Sequence, residues 1–326
     1  MTHTDAAVKT SAVPAWRRIN WRDYVVYIGF AVVFLFFAVT QGSNGFLTTS
    51  NLTNIVIQTA PITIMAVGLV FVLAAGEIDL SIGSVVALSA LVGAVTLRET
   101  DSMLLGVAAG LAAGAAVGLV NGVFVTLVRL PSFLVTLATM GAVAGLAREV
   151  TGLQSVPVSN DAFLSFFGQG EILGIPGLVL WSVAAAVVGY LVLRQTRYGA
   201  HTLAIGDNVA AARVSGIKVI RVKIMVLMGS AMCAALAGLL YAGRLQGARY
   251  TLGEADLMSV IAAVIVGGTS LFGGKGSIVG AVLGSLLMGM LNNGLILAGL
   301  SVSQQMMARG AIILVAVSLS LRERRS

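Results

Sequence analysis

Apolar residues fill this chain in long blocks, each closed by a short polar knot. The blocks fall at about 24–40, 54–75, 83–97, 103–128, 132–148, 177–193, 224–242, 257–272, 276–300 and 304–321. Each holds roughly 16 to 26 residues, enough for an α-helix to cross about 30 Å of hydrocarbon and unlike the alternating, roughly ten-residue strands of an outer-membrane barrel. The pattern predicts an all-α, polytopic membrane protein of about ten transmembrane helices. It makes one transmembrane domain, 24–321, between short tails at 1–23 and 322–326.

Composition agrees. With 58% hydrophobic and 10% charged residues and a mean hydropathy of +0.98, too little polar surface is available to cover a soluble fold. The net charge of +7 does not imply nucleic acid, because the basic residues are scattered over the connections instead of gathered on one face. Most of the 20 Lys and Arg fall before the first block, at Arg129, between Arg194 and Lys223, at Lys275 and at the C-terminus. By the positive-inside rule both ends are cytoplasmic. The polar stretch 1–23, with Lys9, Arg17, Arg18 and Arg22, leads into the first block without a small-residue cleavage site and reads as the approach to an uncleaved helix.

Between the second and third blocks stands LAAGEIDLSIGS, residues 73–84. Glu77 and Asp79 are the only charges from Ile55 to Leu97. Gly76 and Gly83 bracket a break there, and Asp79, Ser81 and Ser84 can turn their side chains onto freed backbone amides, with Asp79 or Ser81 capping the third helix. Two readings fit: a broken helix lining a polar translocation path, or a short cytoplasmic turn that Asp79 caps. Pro61, inside the second block, should bend or interrupt its helix. Gly106, Gly110, Gly114, Gly118 and Gly122 form one stripe on the fourth, and Gly276, Gly280 and Gly284 repeat the device, both predicting backbone-close packing.

Little suggests catalysis. His3 and His201 are far apart, Cys233 is the single cysteine, and no catalytic triad or metal-ligand spacing is present. The stretch GGTSLFGGKGS, 267–277, fails the spacing of a phosphate loop, so any ATP must be bound by another chain. In the longest basic connection, Asp207 and Asn208 are N-cap candidates, Val209 to Ser215 can form about two helical turns, and Gly216 suits the stop. Ala210, Ala211, Ala212 and Arg213 complete a short docking helix. Arg244 and Arg249, in an outer connection, are candidate contacts for an acidic partner.

Four ordered motifs, AGEIDLSIGS, AIGDNVAAARVSGI, VIVGGTSLFGGKGSIVGAVLGSLLMGMLNNGL and QQMMARGAIILVAVSL, resemble the permease subunits of bacterial ABC importers for ribose, xylose and related sugars, over about residues 50–320. The resemblance implies a second permease subunit, identical or paralogous, a cytoplasmic ATPase carrying the ATP and Mg, a periplasmic sugar-binding protein, and a place in the bacterial inner membrane. The chain itself would bind no cofactor. The stretch 201–216 is similar to the family's coupling element, which sits in a groove on the ATPase, with an alanine where the pattern has its glutamate. Glu77 stands where the family often has glycine. The implied function is monosaccharide translocation by alternating access; the alternative is an ion-coupled secondary transporter using Asp79.

Overall fold

The computed structural model describes residues 25–308, 310, 311 and 314. The tails expected at 1–23 and 322–326 and most of the block at 304–321 lie outside them. The described chain is helical throughout, apart from four two-residue strands. Seven helices are long and apolar enough to cross a membrane: α2 (Thr49–Ala74), α3 (Ile82–Thr100), α4 (Met103–Thr126), α5 (Ser132–Thr151), α7 (Gly177–Gln195), α10 (Val219–Arg244) and α12 (Ile278–Leu297). Two apolar helices are shorter, α1 (Val25–Thr40) and α11 (Asp256–Val266). Short helices α6 (Asp161–Leu164), α8 (Arg197–Asp207) and α9 (Val209–Val214) lie in connections.

This corrects the expectation of about ten full spans, since only seven reach that length among the described residues. The block at 257–272 supplies only the 11 residues of α11, about 16 Å of helix. Its remainder belongs to the glycine-rich turn after Val266, where Gly268, Gly273 and Gly274 all take positive φ. Nor does Pro61 interrupt its helix: α2 continues through it. On either side of it the Thr59 and Thr63 hydroxyls donate to the Ile55 and Thr59 carbonyls, at 2.5 and 3.1 Å.

Helices α2, α3 and α10 form the buried centre, while α4, α5 and α7 turn large apolar side chains outward, among them Leu104, Phe133, Val187 and Val188. An apolar exterior of this extent suits a lipid solvent. The α4 glycine stripe faces α3 and α10: a Cβ on Gly110 would come within 2.9 Å of the Ser89 carbonyl oxygen, and one on Gly118 within 2.6 Å of Met228 Cα. In the ninth block Gly280 and Gly284 do the same between α12 and the end of α11, meeting the Gly267 and Ala263 backbones, whereas Gly276 precedes α12 and lies against Val70 and Ala74 of α2. Gly118→Ala is therefore expected to force α4 and α10 apart at a cost of about 1–3 kcal/mol, read as a lower midpoint of thermal inactivation. Gly141→Ala, where a Cβ meets nothing within 4 Å, should leave the midpoint unchanged.

Connections gather at two ends of the bundle. At one, β1 (Val156–Pro157) pairs antiparallel with β4 (Gly247–Ala248) in the register Val156↔Ala248, and the Asn160 amide donates to Asp101 at 2.9 Å. A small hairpin, β2 (Glu171–Ile172) and β3 (Ile175–Pro176), precedes α7. At the other end the 268–277 turn meets the end of α2, with Gly274 N donating to the Ala74 carbonyl at 3.0 Å. Gly206 of α8 packs against the same Ala74 carbonyl.

Candidate functional site

The break between α2 and α3 is built from both sides. Helix α2 stops in a Schellman motif: Gly76, at φ +76°, donates to Leu73 O and Glu77 N to Val72 O. The chain then runs without regular structure through Leu80 and turns at Ser81, where α3 begins with Ile82. Backbone groups left free in this gap are met by neighbouring helices, as an interrupted membrane segment requires. From α5, Ser132 Oγ accepts from Ile78 N at 3.0 Å, and Thr136 Oγ1 donates to Ile78 O at 3.1 Å.

Asp79 is fully buried. Its Oδ1 accepts from Ser81 N at 2.9 Å and Ser81 Oγ at 2.6 Å, and its Oδ2 accepts from Ser230 Oγ of α10 at 3.0 Å. Ser81 Oγ in turn accepts from the Asn121 amide of α4 at 2.9 Å. The N-cap position of α3 is held by Ser81, whose side chain bonds no amide of the helix. Ser84 Oγ donates to Ser81 O at 2.9 Å. Glu77, also buried, pairs with the Lys223 ammonium in the first turns of α10. The structure thus brings together all four residues singled out in this stretch and adds Ser230, Asn121, Ser132, Thr136 and Lys223. Sequence reasoning misses all five: Lys223 reads as the last residue of the basic connection that begins at Arg194, and the others are ordinary small polar residues.

The coupling stretch folds as a helix of 6 residues, α9. Asn208 is its N-cap and accepts from Ala211 N at 3.0 Å; Asp207 instead ends α8. Gly216, at φ +82°, follows the end of α9. Ala210, Ala211 and Arg213 are exposed, and Val214 is 91% exposed. Ala212 differs. It is buried against its own chain, so the face on offer is Ala210, Ala211, Arg213 and Val214.

Arg244 and Arg249 are separated by environment. Arg249 is exposed, whereas Arg244 is half-buried in the last turn of α10, within electrostatic reach of Tyr241 and Asp256, which are joined by a 2.7 Å hydrogen bond. Among the described residues no cluster of His, Cys, Asp or Glu could hold a metal ion.

A family model described as a branched-chain amino acid transport system permease component matches residues 51–317. The ribose import permease protein RbsC of Bacillus subtilis is 39% identical over 91% of this chain and 92% of its own length. Its Escherichia coli K12 counterpart is 40% identical over 88% and 90%, and the L-arabinose transport system permease protein AraH of the same strain 35% over 91% and 90%. No solved structure matches. Likeness of this extent, on a bundle whose buried polar groups are spent on holding a membrane break together, leaves one assignment: the chain belongs to the family of transport-system permease components and is a transport protein, not an enzyme.

Proposed function

We propose that this chain is the translocation subunit of an ATP-binding-cassette importer that moves a monosaccharide of the ribose or arabinose kind across the bacterial inner membrane. The observation that carries the reading is the 35% to 40% identity, along almost the whole chain, to permeases named for ribose import and L-arabinose transport. In this reading α1 and α11 join the seven long helices within the membrane, and both ends of the chain are cytoplasmic. The end of the bundle holding Arg129, Arg194, Arg197, Arg213, Lys218, Arg221 and Lys275 faces the cytoplasm, as the basic-residue bias favours. A second permease subunit completes the path, a binding protein delivers the sugar outside, with Arg249 the better placed of the two outer arginines to meet it, and a separate ATPase docks inside.

The ion-coupled alternative is less well supported. Both oxygens of the Asp79 carboxylate are engaged by this chain's own donors, two on Oδ1 and one on Oδ2, so the group is committed to holding the break together.

Helix α9 is the proposed contact for the ATPase. It is short, protruding, and walled by small residues that suit a groove. The test is reconstitution of the chain with its ATPase and binding protein in proteoliposomes, measuring ATP-dependent uptake of D-ribose and L-arabinose. Ala211→Trp and Arg213→Glu should lower uptake and binding-protein-stimulated ATP hydrolysis by about fivefold or more, the loss of a packed contact and a charge-assisted one, while folded yield stays normal. Full stimulation in both variants would place coupling elsewhere, and uptake without ATP would remove the importer reading.

A further inference from the structure

After β4 the chain turns back into the bundle before α11 starts. Gly253 lies against the first turn of α3: a Cβ on Gly83 would come within 2.8 Å of the Gly253 carbonyl oxygen, and one on Gly253 within 2.6 Å of Val86 Cβ. Leu257 lies against Gly83 as well. Gly83 stands near the start of the 19-residue α3, about 25 Å along the helix from its Thr100 end. Both α3 and α11 therefore begin at membrane depth, and they begin beside each other.

Glu254 sits at this junction. It is exposed, and among the described residues its carboxylate has no ion-pair or hydrogen-bond partner; the nearest side-chain pairing, Tyr241 with Asp256, leaves it aside. Thr251, in the turn ahead of Gly253, and Met258, in the first turn of α11, are exposed as well. A carboxylate at membrane depth does not face lipid; it faces water or another protein group. A sugar moving through such a place needs acceptors for its hydroxyls and an apolar surface for its C–H face. A carboxylate, a hydroxyl and a thioether provide these.

We infer that Glu254, with Thr251 and Met258, lines the aqueous route of the sugar, on the face closed by the second permease subunit. The inference rests on the sugar-importer reading and goes beyond it by naming residues. Glu254 is a positioning residue for the cargo: its two oxygens accept from sugar hydroxyls as the molecule passes.

The test uses the complete transporter in membrane vesicles of both orientations. Cys233 is the single cysteine of the chain, so Cys233→Ser provides a thiol-free background. Into it go Glu254→Cys, Thr251→Cys and, as a lipid-facing control, Val187→Cys, which lies 51% exposed on α7. The probe is a charged, membrane-impermeant methanethiosulfonate. Because only a hydrated thiol ionises, residues 254 and 251 should react on the order of tenfold faster than 187 from at least one side. In the native background Glu254→Gln should lower D-ribose and L-arabinose uptake about tenfold, the scale of a lost hydrogen bond to a charged group. Its binding-protein-stimulated ATP hydrolysis should stay within about twofold, since the α9 contact is untouched. Labelling at 254 and 251 no faster than at 187, or wild-type uptake by Glu254→Gln, overturns the inference. Either result with ATP-driven uptake intact leaves the importer reading standing, whereas fast labelling in a complex with no ATP-driven sugar uptake removes that reading instead.

Discussion

Asp79→Ala is expected to abolish most of the folded protein, and Asp79→Asn to leave it transporting. Three donors converge on the Asp79 carboxylate: Ser81 N, Ser81 Oγ and Ser230 Oγ. All belong to buried residues, so an alanine strands them together. Ser230 can turn its hydroxyl to a carbonyl one turn back in α10. The Ser81 groups have no such exit, and the penalty for leaving them unpaired is about 3 kcal/mol or more. That exceeds the roughly 1 kcal/mol of a lost helix cap, because the residue ties the break to α10 as well as ordering its backbone. Asparagine keeps the shape: its carbonyl oxygen accepts from both Ser81 groups, and its amide donates to Ser230 Oγ. The midpoint of thermal inactivation should fall by less than about 1 kcal/mol equivalent for Asn. Uptake abolished by Asn in a well-folded protein would reverse the conclusion and make the carboxylate a coupling site.

The same carboxylate shows where the sequence was readable and where it was not. Two charges in a long apolar stretch mark a break, and Gly76 supplies its turn, so the place of the break is visible without coordinates; Gly83 lies inside α3 instead. Its partners could not. Ser230 and Lys223 come from α10, far along the chain, and Ser132 and Thr136 open α5; Ser and Thr are common in membrane helices, and Lys223 reads as the close of a basic connection. The Gly106–Gly122 stripe was legible because its spacing of four repeats along one face, and its packing against α3 and α10 follows.

Short elements were harder. Asn208 and Gly216 bound α9 by local chemistry that a sequence displays directly. Which alanine of α9 faces inward depends on the angle at which two turns leave α8, and no periodicity can be read from 6 residues. Thus Ala212, which the sequence places on the docking helix beside Ala210 and Ala211, is buried. The length of α11 was misjudged for a related reason. Hydropathy continues through Leu271 and Phe272, but Gly267 and Gly268 have already released the helix. Apolar content does not report helix length, and here it extends past the helix into a turn where Leu271 is half-buried and Phe272 exposed.

Lys223→Met is expected to be the second most damaging change, and pairing it with Glu77→Gln should recover most of the loss. Glu77 and Lys223 form an ion pair whose side chains are only 9% and 18% exposed. Removing the ammonium alone leaves a buried carboxylate without compensation, which costs up to about 3–5 kcal/mol, whereas replacing both members costs little because neither desolvation penalty remains. The pair also has a position that gives it a use. Helix α10 begins at Val219, immediately after the α9 loop, and Lys223 lies within its first turns. A displacement of the loop therefore reaches the break between α2 and α3 through this contact before it reaches Asp79. Three proteins decide between packing and transmission: Lys223→Met, Glu77→Gln, and the two together. The interaction energy from their inactivation midpoints should be about 1–3 kcal/mol. If the contact transmits movement, the double variant recovers the midpoint while its uptake per ATP hydrolysed stays low. Recovery of both assigns the pair to stability alone, and a double variant no better than Lys223→Met denies that the two residues act together.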